Sequence, residues 1–159
     1  MRKIWAPKGR RPVAPNRTRY QWVYSYCFVN PSTGDSEWLI LPTVNTAMTS
    51  LALKIFSKRV NPSGEKIILL LIDQAGFHMS AKVEKPGGVV FMPLPPHTPE
   101  LQPAEPAWPL LREAIANETF SSLDSLERRL VKRCRWLMAN PEIMKGASGF
   151  GWVIDASKG

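Results

Sequence analysis

The sequence predicts an α/β domain in which a mixed sheet is flanked by helices, and three observations support this prediction. Residues 67–72 form an unbroken apolar run, which is typical of a strand buried on both faces. Residues 89–92 form a second run, after a connection long enough for a short crossover between parallel strands. Residues 45–59 and 121–138 place apolar side chains at helical spacing, so helices are expected to accompany the strands.

The N-terminal half is predicted to contain a β-hairpin followed by a helix. Residues 20–29 are aromatic and β-branched, residues 30–34 have turn composition, and residues 36–41 are expected to return as the second strand. Asn45 is a suitable N-cap for a helix that runs to about residue 59, before the Asn-Pro-Ser-Gly segment 61–64. Residues at helical spacing are expected to form its buried stripe: Met48, Leu51, Ala52, Ile55 and Phe56.

The C-terminal half is predicted to alternate between irregular and helical segments. Residues 93–106 are too rich in proline for a regular element, and a helix is expected after Glu105. Pro109 is expected to delay or kink that helix. Ser121 and Asp124 resemble a capping box and are predicted to open the last helix, which runs to about residue 138. Residues 141–159 are predicted to form a loose C-terminal tail.

Length and composition favour a single globular domain. The chain has 159 residues, of which 44% are hydrophobic and 21% charged. No apolar run approaches the ~18 residues of a membrane span, and the first residues lack the apolar core of a secretory signal. Cys27 and Cys134 have no metal-ligand spacing and are interpreted as buried free thiols. We therefore predict a cytoplasmic protein without a membrane partner.

The net charge of +8 is concentrated in a basic arm at the start of the chain. The arm carries no acid and several prolines, a composition that suits phosphate contacts and would associate the protein with the nucleoid. The alternative interpretation is a solubilising tail. The expected division is a basic arm at 1–18, a folded domain at 19–140 and the tail at 141–159. The candidate nucleic-acid contacts are Arg2, Lys3, Lys8, Arg10, Arg11, Arg17 and Arg19.

A second group of basic residues lies on the predicted helix 121–138, mainly away from its apolar face. Such a group is either a solvated basic face or a second surface for DNA, and the sequence leaves both interpretations open. Its members are Arg128, Arg129, Lys132, Arg133 and Arg135.

Two carboxylates are predicted to lie at one edge of the sheet. Asp73 directly follows the first apolar strand, and the carboxyl ends of strands are where open α/β sheets place their sites. Glu105 stands at the mouth of the following helix. Paired carboxylates suit a divalent metal site, although an Asp after a strand is also a common turn residue and a Glu before a helix a common dipole partner. His78 and His97 are expected to make structural hydrogen bonds or DNA-phosphate contacts.

The amino-acid sequence around Asp73 and Glu105 resembles the catalytic domain of mariner-type DDE transposases, in particular the bacterial insertion-sequence branch. The segment LLLIDQAGFHMSAKV resembles the family pattern Asp-Asn-x-x-x-His, with Asp73, Gln74 and His78 in place and Gln standing for Asn. The segment LPPHTPELQPAEPAW resembles Leu-Pro-x-x-x-Pro-Glu-Leu-Asn-Pro-x-Glu-x-x-Trp, again with Gln for Asn. The matching residues are Leu94, Pro95, Pro99, Glu100, Leu101, Gln102, Pro103, Glu105 and Trp108.

The resemblance implies an RNase H-like fold and metal-dependent DNA cleavage and strand transfer with Mg²⁺ or Mn²⁺. It makes Asp73 the second and Glu105 the third acid of a catalytic triad. The first acid belongs to a strand upstream of the segment that is residues 5–12 here, and no acid precedes Asp35, which lies in the predicted hairpin turn. The resemblance therefore implies a domain truncated at its N-terminus that lacks its first strand.

The missing central strand would leave backbone groups of two neighbouring strands without partners. A second copy of the chain or a complementing N-terminal fragment is expected to pair with them. Two alternatives remain: a catalytically dead remnant that only binds nucleic acid nonspecifically, and a small basic binding module in which the acids are merely structural.

Overall fold

The computed structural model describes residues 8–9 and 22–156. The first elements are the antiparallel strands β1 (Tyr24–Val29) and β2 (Ser36–Leu41), which confirms the predicted hairpin. In its turn the side chain of Asn30 accepts a hydrogen bond from the backbone of Ser32 at 3.0 Å. Gly34 has a φ of +84°, and a Cβ there would meet the carbonyl oxygen of Pro141 at 1.9 Å. The turn is therefore shaped to pack against a C-terminal element.

Helix α1 (Thr46–Val60) begins as predicted, because the side chain of Asn45 accepts from the backbone N–H of Met48 at 2.9 Å. Its buried face is rotated relative to the predicted stripe. Leu51 is exposed, whereas Leu53 is only 1% exposed. The face that is buried is the one that touches the strands, as shown by Phe56, whose ring stacks on that of Phe28 with centroids 4.2 Å apart.

Strands β3 (Ile68–Ile72) and β4 (Val89–Pro93) pair in parallel, with the short helix α2 (Gly76–Met79) in their crossover. This confirms the predicted crossover. The prediction that β3 is buried on both faces is wrong, since Leu69 is 56% and its partner Val90 is 49% exposed. Only the face of β3 that carries Leu70 packs towards α1. The continuous apolar run therefore does not mean that both faces of the strand are buried.

The C-terminal half contains the helices α3 (Ala107–Arg112), α4 (Leu123–Met138), α5 (Pro141–Ser148) and α6 (Gly151–Ala156). Pro109 does not delay α3, which begins at Ala107, because it occupies a first-turn position whose N–H has no intrahelical partner. Helix α4 begins with a capping box formed by Ser122 and Ser125, one residue later than the predicted cap. It is also not the last helix of the chain.

One hydrophobic cluster joins the β1–β2 hairpin to α3, α4 and α5, and buries Trp38, Leu130, Leu137 and Met144. Met144 is fully buried, so the prediction of a loose tail is wrong for Pro141–Ser148. This segment is ordered because its apolar side fills a core that the preceding elements leave open. The predicted division into arm, domain and tail stays a prediction.

A second cluster joins both pairs of strands to α1. Phe28 of β1 and Leu70 of β3 both pack against a buried group that includes Leu53 and Val89. The described residues therefore form two two-stranded sheets, β1–β2 and β3–β4, that share a hydrophobic cluster with α1. Within residues 22–156 no helix combines the length and the apolar character needed to cross a bilayer.

Candidate active site

Asp73 lies directly after the carboxyl end of β3 and is held by its own turn. Its Oδ1 accepts a hydrogen bond from the backbone N–H of Ala75 at 3.1 Å. Nδ1 of His78, in α2, lies 2.6 Å from the same oxygen and donates to it when the carboxylate is ionised. No described residue donates to Oδ2, and the side chain is half exposed. One oxygen therefore fixes the carboxylate and the other faces outward.

His78 is largely shielded from solvent and contacts Asp73. Its side chain is only 18% exposed, and its ring packs edge-on against Phe77 with centroids 4.2 Å apart. Of the two expected uses of this histidine, the structure shows the hydrogen-bonding one. Because its partner is the candidate acid itself, the histidine fixes the orientation of that acid.

Glu105 lies in a turn between the short 3₁₀ helix Pro99–Leu101 and α3. Its backbone N–H donates to the carbonyl of Gln102 at 3.0 Å, and its own carbonyl accepts from Trp108 at 3.2 Å. Trp108 packs edge-on against the buried Trp38, with centroids 5.7 Å apart. The carboxylate of Glu105 is exposed and has no hydrogen-bond partner among the described residues. The backbone of Glu105 is therefore held by two hydrogen bonds, while its carboxylate remains available to a ligand.

The structure brings these two acids together. Asp73 and Glu105 both line a cavity of about 450 Å³, whose other wall is the proline-rich loop at residues 94–99. Gln74 connects the two halves of this site, since its side-chain amide donates to the carbonyl of Leu94 at 2.8 Å. The sequence identified Gln74 only as a departure from the family pattern, and its hydrogen bond to Leu94 is evident only in the structure.

The donor set fits part of a Mg²⁺ or Mn²⁺ site. Mg²⁺ is usually held by one or two carboxylates together with waters and substrate phosphates, and these two acids offer free oxygens of that kind. Among the described residues no group of three or more His, Cys, Asp or Glu side chains could hold a metal. Asp35 is no substitute, because it accepts from Thr33 in the hairpin turn and lines neither this cavity nor the larger one beside it.

The basic residues of α4 divide into two groups. Arg129 and Arg133 donate to the backbone carbonyls of Ala114 and Leu110, both at 2.9 Å, so they hold the α3 region onto α4. The remaining three, Arg128, Lys132 and Arg135, are exposed.

The predicted basic arm lies almost entirely outside the described residues. Lys8 is in an exposed turn. The other members lie outside the described part of the chain: Arg2, Lys3, Arg10, Arg11, Arg17 and Arg19.

Both cysteines are free thiols as predicted, and Cys134 is buried whereas Cys27 is partly buried. Burial raises the pKa of Cys134 to about 11, and burial together with the nearby Cys134 raises the pKa of Cys27 well above its ordinary value. Both thiols are therefore neutral at physiological pH and are not candidates for a metal or nucleophilic role.

Comparison with known proteins gives a consistent set of relatives. A family model described as "DDE superfamily endonuclease" matches residues 1–127. The "Uncharacterized protein y4pE/y4sA" of Sinorhizobium fredii is 31% identical over 106 residues, which cover 66% of this chain and 77% of that protein.

Two solved structures of Mos1 transposase are also similar. The paired-end complex with the left transposon end has a TM-score of 0.57 at 18% identity and is matched over 93% of this chain. The strand transfer complex has a TM-score of 0.58 at 15% identity over 94% of this chain. The chain spans about half the length of each Mos1 chain, 50% in both comparisons. At these identities the likeness concerns the fold, and it confirms the predicted RNase H-like α/β class.

Proposed function

The chain belongs to the DDE superfamily endonucleases, and from that premise we propose that Asp73 and Glu105 are two metal-binding acids of a DNA-cleaving and strand-transferring site. The observation that supports the proposal is that both acids line one cavity at the end of β3, each with a free carboxylate oxygen. The predicted resemblance to mariner-type DDE transposases agrees with the family and with the Mos1 fold.

The proposed chemistry is phosphoryl transfer at DNA. A divalent ion, when bound, neutralises phosphate charge and activates the attacking oxygen. In the first step water forms a new P–O bond and the DNA 3′-oxygen leaves, so the cleaved strand ends in a 3′-hydroxyl. In the second step the oxygen of that hydroxyl loses its proton and forms a P–O bond at a phosphodiester of target DNA, and the 3′-oxygen of the target strand leaves. Asp73, oriented by His78, and Glu105, anchored through Trp108, would hold the ion at the scissile phosphate.

The described residues supply two acids of a set that needs a third. We propose that the third comes from outside these residues, either from a longer reading frame of the same chain or from a second polypeptide, which is a homodimer partner or a complementing N-terminal fragment. The isolated chain is therefore expected to cleave DNA weakly or not at all.

DNA is the proposed macromolecular partner. One of the two Mos1 structures is a paired-end complex with the left transposon end, and the other is a strand transfer complex. This chain carries a net charge of +8, which suits a polyanionic partner. The basic arm would supply phosphate contacts that carry no sequence information. A DNA-acting role would place the protein in the cytoplasm with the nucleoid, which imaging of a tagged chain would test.

Metal binding tests the acids directly. Titration of the chain with Mn²⁺, followed by electron paramagnetic resonance, should detect one site whose affinity falls more than about tenfold in Asp73→Asn and in Glu105→Gln. Asp35→Asn is the matched control, because Asp35 lines neither cavity, and it should leave binding unchanged. Equal Mn²⁺ binding by all four proteins would contradict the proposed metal site.

The Mg²⁺ dependence of DNA binding separates the proposal from the alternative of a catalytically dead, nonspecific nucleic-acid-binding domain, because only the proposed site links Mg²⁺ to DNA through Asp73 and Glu105. The observation that favours the alternative is the incomplete ligand set among the described residues. A dead domain would bind DNA with the same affinity with and without Mg²⁺. Robust Mn²⁺-dependent nicking by the isolated chain, lost in Asp73→Ala, would show instead that this chain needs no third acid from outside.

A further inference from the structure

Gln102 lies where two cavities of the structure meet. The cavity of about 450 Å³ that holds the candidate acids adjoins a larger one of about 660 Å³. Among the described residues, the two cavities share three lining residues, which are Asp73, Gln102 and Glu105. Two of these are the candidate acids, so Gln102 is a third polar side chain at the same place. In the sequence this glutamine stands out only as a replacement for the asparagine of the family pattern.

The backbone of Gln102 is held on both sides, which leaves its side chain available to a ligand. Its N–H donates to the carbonyl of Pro99, and its carbonyl accepts from the N–H of Glu105, both at 3.0 Å. The residue is partly buried, and no hydrogen bond joins its side-chain amide to another described residue. An amide in this position loses part of its contact with water without gaining a partner, so binding of a group that supplies one is favoured.

The site needs a hydrogen-bond donor if it is to hold a phosphate. Ionised carboxylates only accept hydrogen bonds, and so do the oxygens of a phosphodiester. Among the residues that the structure describes, no Lys or Arg lines either cavity. Two other donors of the site are engaged, since Nδ1 of His78 contacts Asp73 and the amide of Gln74 donates to the carbonyl of Leu94. The side-chain N–H groups of Gln102 remain.

We propose that the side-chain amide of Gln102 donates to a non-bridging oxygen of the DNA phosphodiester that binds beside Asp73 and Glu105. The inference rests on the proposed function, because it takes that phosphate to be held there together with a divalent ion. An amide suits this role because it donates without placing a further negative charge next to two carboxylates. Such a contact positions the strand for attack and carries no sequence information.

Three substitutions of Gln102 test the contact. The readout is the factor by which Mn²⁺, compared with EDTA, raises the affinity of the full chain for a labelled DNA duplex in fluorescence anisotropy. Gln102→Met keeps the length of the side chain and removes its donors, and it should lower that factor up to about tenfold, as expected for a lost hydrogen bond to a charged group. Gln102→Asn keeps the donors and should lower it less than about threefold. Gln102→Glu adds a negative charge and should lower it at least as much as Met.

The order of the variants separates a phosphate contact from two other roles. A side chain that only fills space is replaced better by Met, which has the same length, than by Asn, so a full Mn²⁺ effect in Gln102→Met would overturn the proposal. A ligand of the ion would be missed even without DNA. Mn²⁺ titration of Gln102→Met in the absence of DNA should therefore give the wild-type affinity, and a loss of about tenfold would assign the amide oxygen to the ion instead.

The wild-type chain and Asp73→Asn distinguish failure of this contact from failure of the proposed function. If Mn²⁺ raises the DNA affinity of the wild type and of Gln102→Met equally, while Asp73→Asn weakens Mn²⁺ binding, the contact fails and the metal site stands. If Mn²⁺ raises the DNA affinity of neither protein, and Asp73→Asn binds Mn²⁺ as tightly as the wild type, the proposed function fails and the contact fails with it.

Discussion

At the scale of single residues, the contact between Nδ1 of His78 and Oδ1 of Asp73 determines which carboxylate oxygen remains available. The separation is 2.6 Å, and the backbone N–H of Ala75 donates to the same oxygen. Two donors on one oxygen leave the other for the proposed cation. In the proposed site His78 is therefore a positioning residue, because it would act only through the orientation of Asp73.

We predict that His78→Ala weakens Mn²⁺ binding about tenfold to a hundredfold, the usual range when the hydrogen-bond partner of a metal ligand is lost. The measurement is the same Mn²⁺ titration that tests the acids. Met79→Ala is the control, since Met79 is the next residue of α2 and is 43% exposed. Unchanged binding in His78→Ala would show that the turn around Ala75 alone orients the carboxylate.

Sequence reasoning located the candidate acids because the information lies in local pattern. An apolar run followed by Asp73, and a proline-rich stretch followed by Glu105, place both side chains at element ends, and the structure brings them to one cavity. Sequence reasoning missed the contact of Gln74 with Leu94, which joins residues 20 positions apart. That contact depends on how two loops meet, and nothing in either loop alone predicts it.

At the scale of elements, the structure agrees with the predictions that depend on residues close together in the sequence. It disagrees with the predictions of burial, which depend on the elements that pack against a segment. The hairpin, the Asn45 cap and the parallel crossover were predicted from turn residues, a capping side chain and two apolar runs. The exposed face of β3, marked by Leu69, could not be predicted, because burial depends on which element covers a strand. The same argument explains Leu51, which has helical spacing but faces away from the sheets.

Helix α5 is the clearest case of order supplied by tertiary packing. Its eight residues are too few to form a stable helix alone, yet Met144 is fully buried in the cluster with Trp38 and Leu137. We predict that Met144→Ala lowers the free energy of unfolding by about 2–5 kcal/mol, measured by urea titration. Met79→Ala removes the same side chain from an exposed position and should cost much less. A similar small cost at both positions would mean that α5 is not part of the cooperative core.

At the scale of the whole molecule, the buried thiols connect the stability of the fold to pH. Cys134 lies in the cluster that joins α4 to the hairpin, and burial raises its pKa to about 11. The thiol of the unfolded chain has an ordinary pKa near 8.5. The folded state therefore holds this proton more tightly than the unfolded state, so its contribution to stability is complete below about pH 8.5 and is lost as pH rises towards 11.

We predict that urea midpoints of the wild-type chain fall more steeply between pH 8.5 and 11 than those of Cys134→Ala. The two proteins share every other titratable group, so the difference between the two curves reports the Cys134 thiol together with its effect on the pKa of Cys27. A single thiol contributes at most about 1.4 kcal/mol per pH unit. Parallel curves would show that the Cys134 thiolate is tolerated in the folded state.

The distribution of charge over the whole chain determines how it would meet DNA. Two basic groups compete for that role: the seven residues of the first 19 positions, and the exposed Arg128, Lys132 and Arg135 of α4. Each phosphate contact contributes about 0.9 to the slope of log affinity against log salt concentration, so the slope counts contacts.

We predict that Gln at Arg2, Lys3, Arg10 and Arg11 lowers that slope by about 2 to 4, whereas Gln at the three α4 positions lowers it by less than about 1. Fluorescence anisotropy with duplex DNA at several salt concentrations makes both measurements. The reverse order would assign the DNA surface to α4 and reduce the arm to a solubilising segment.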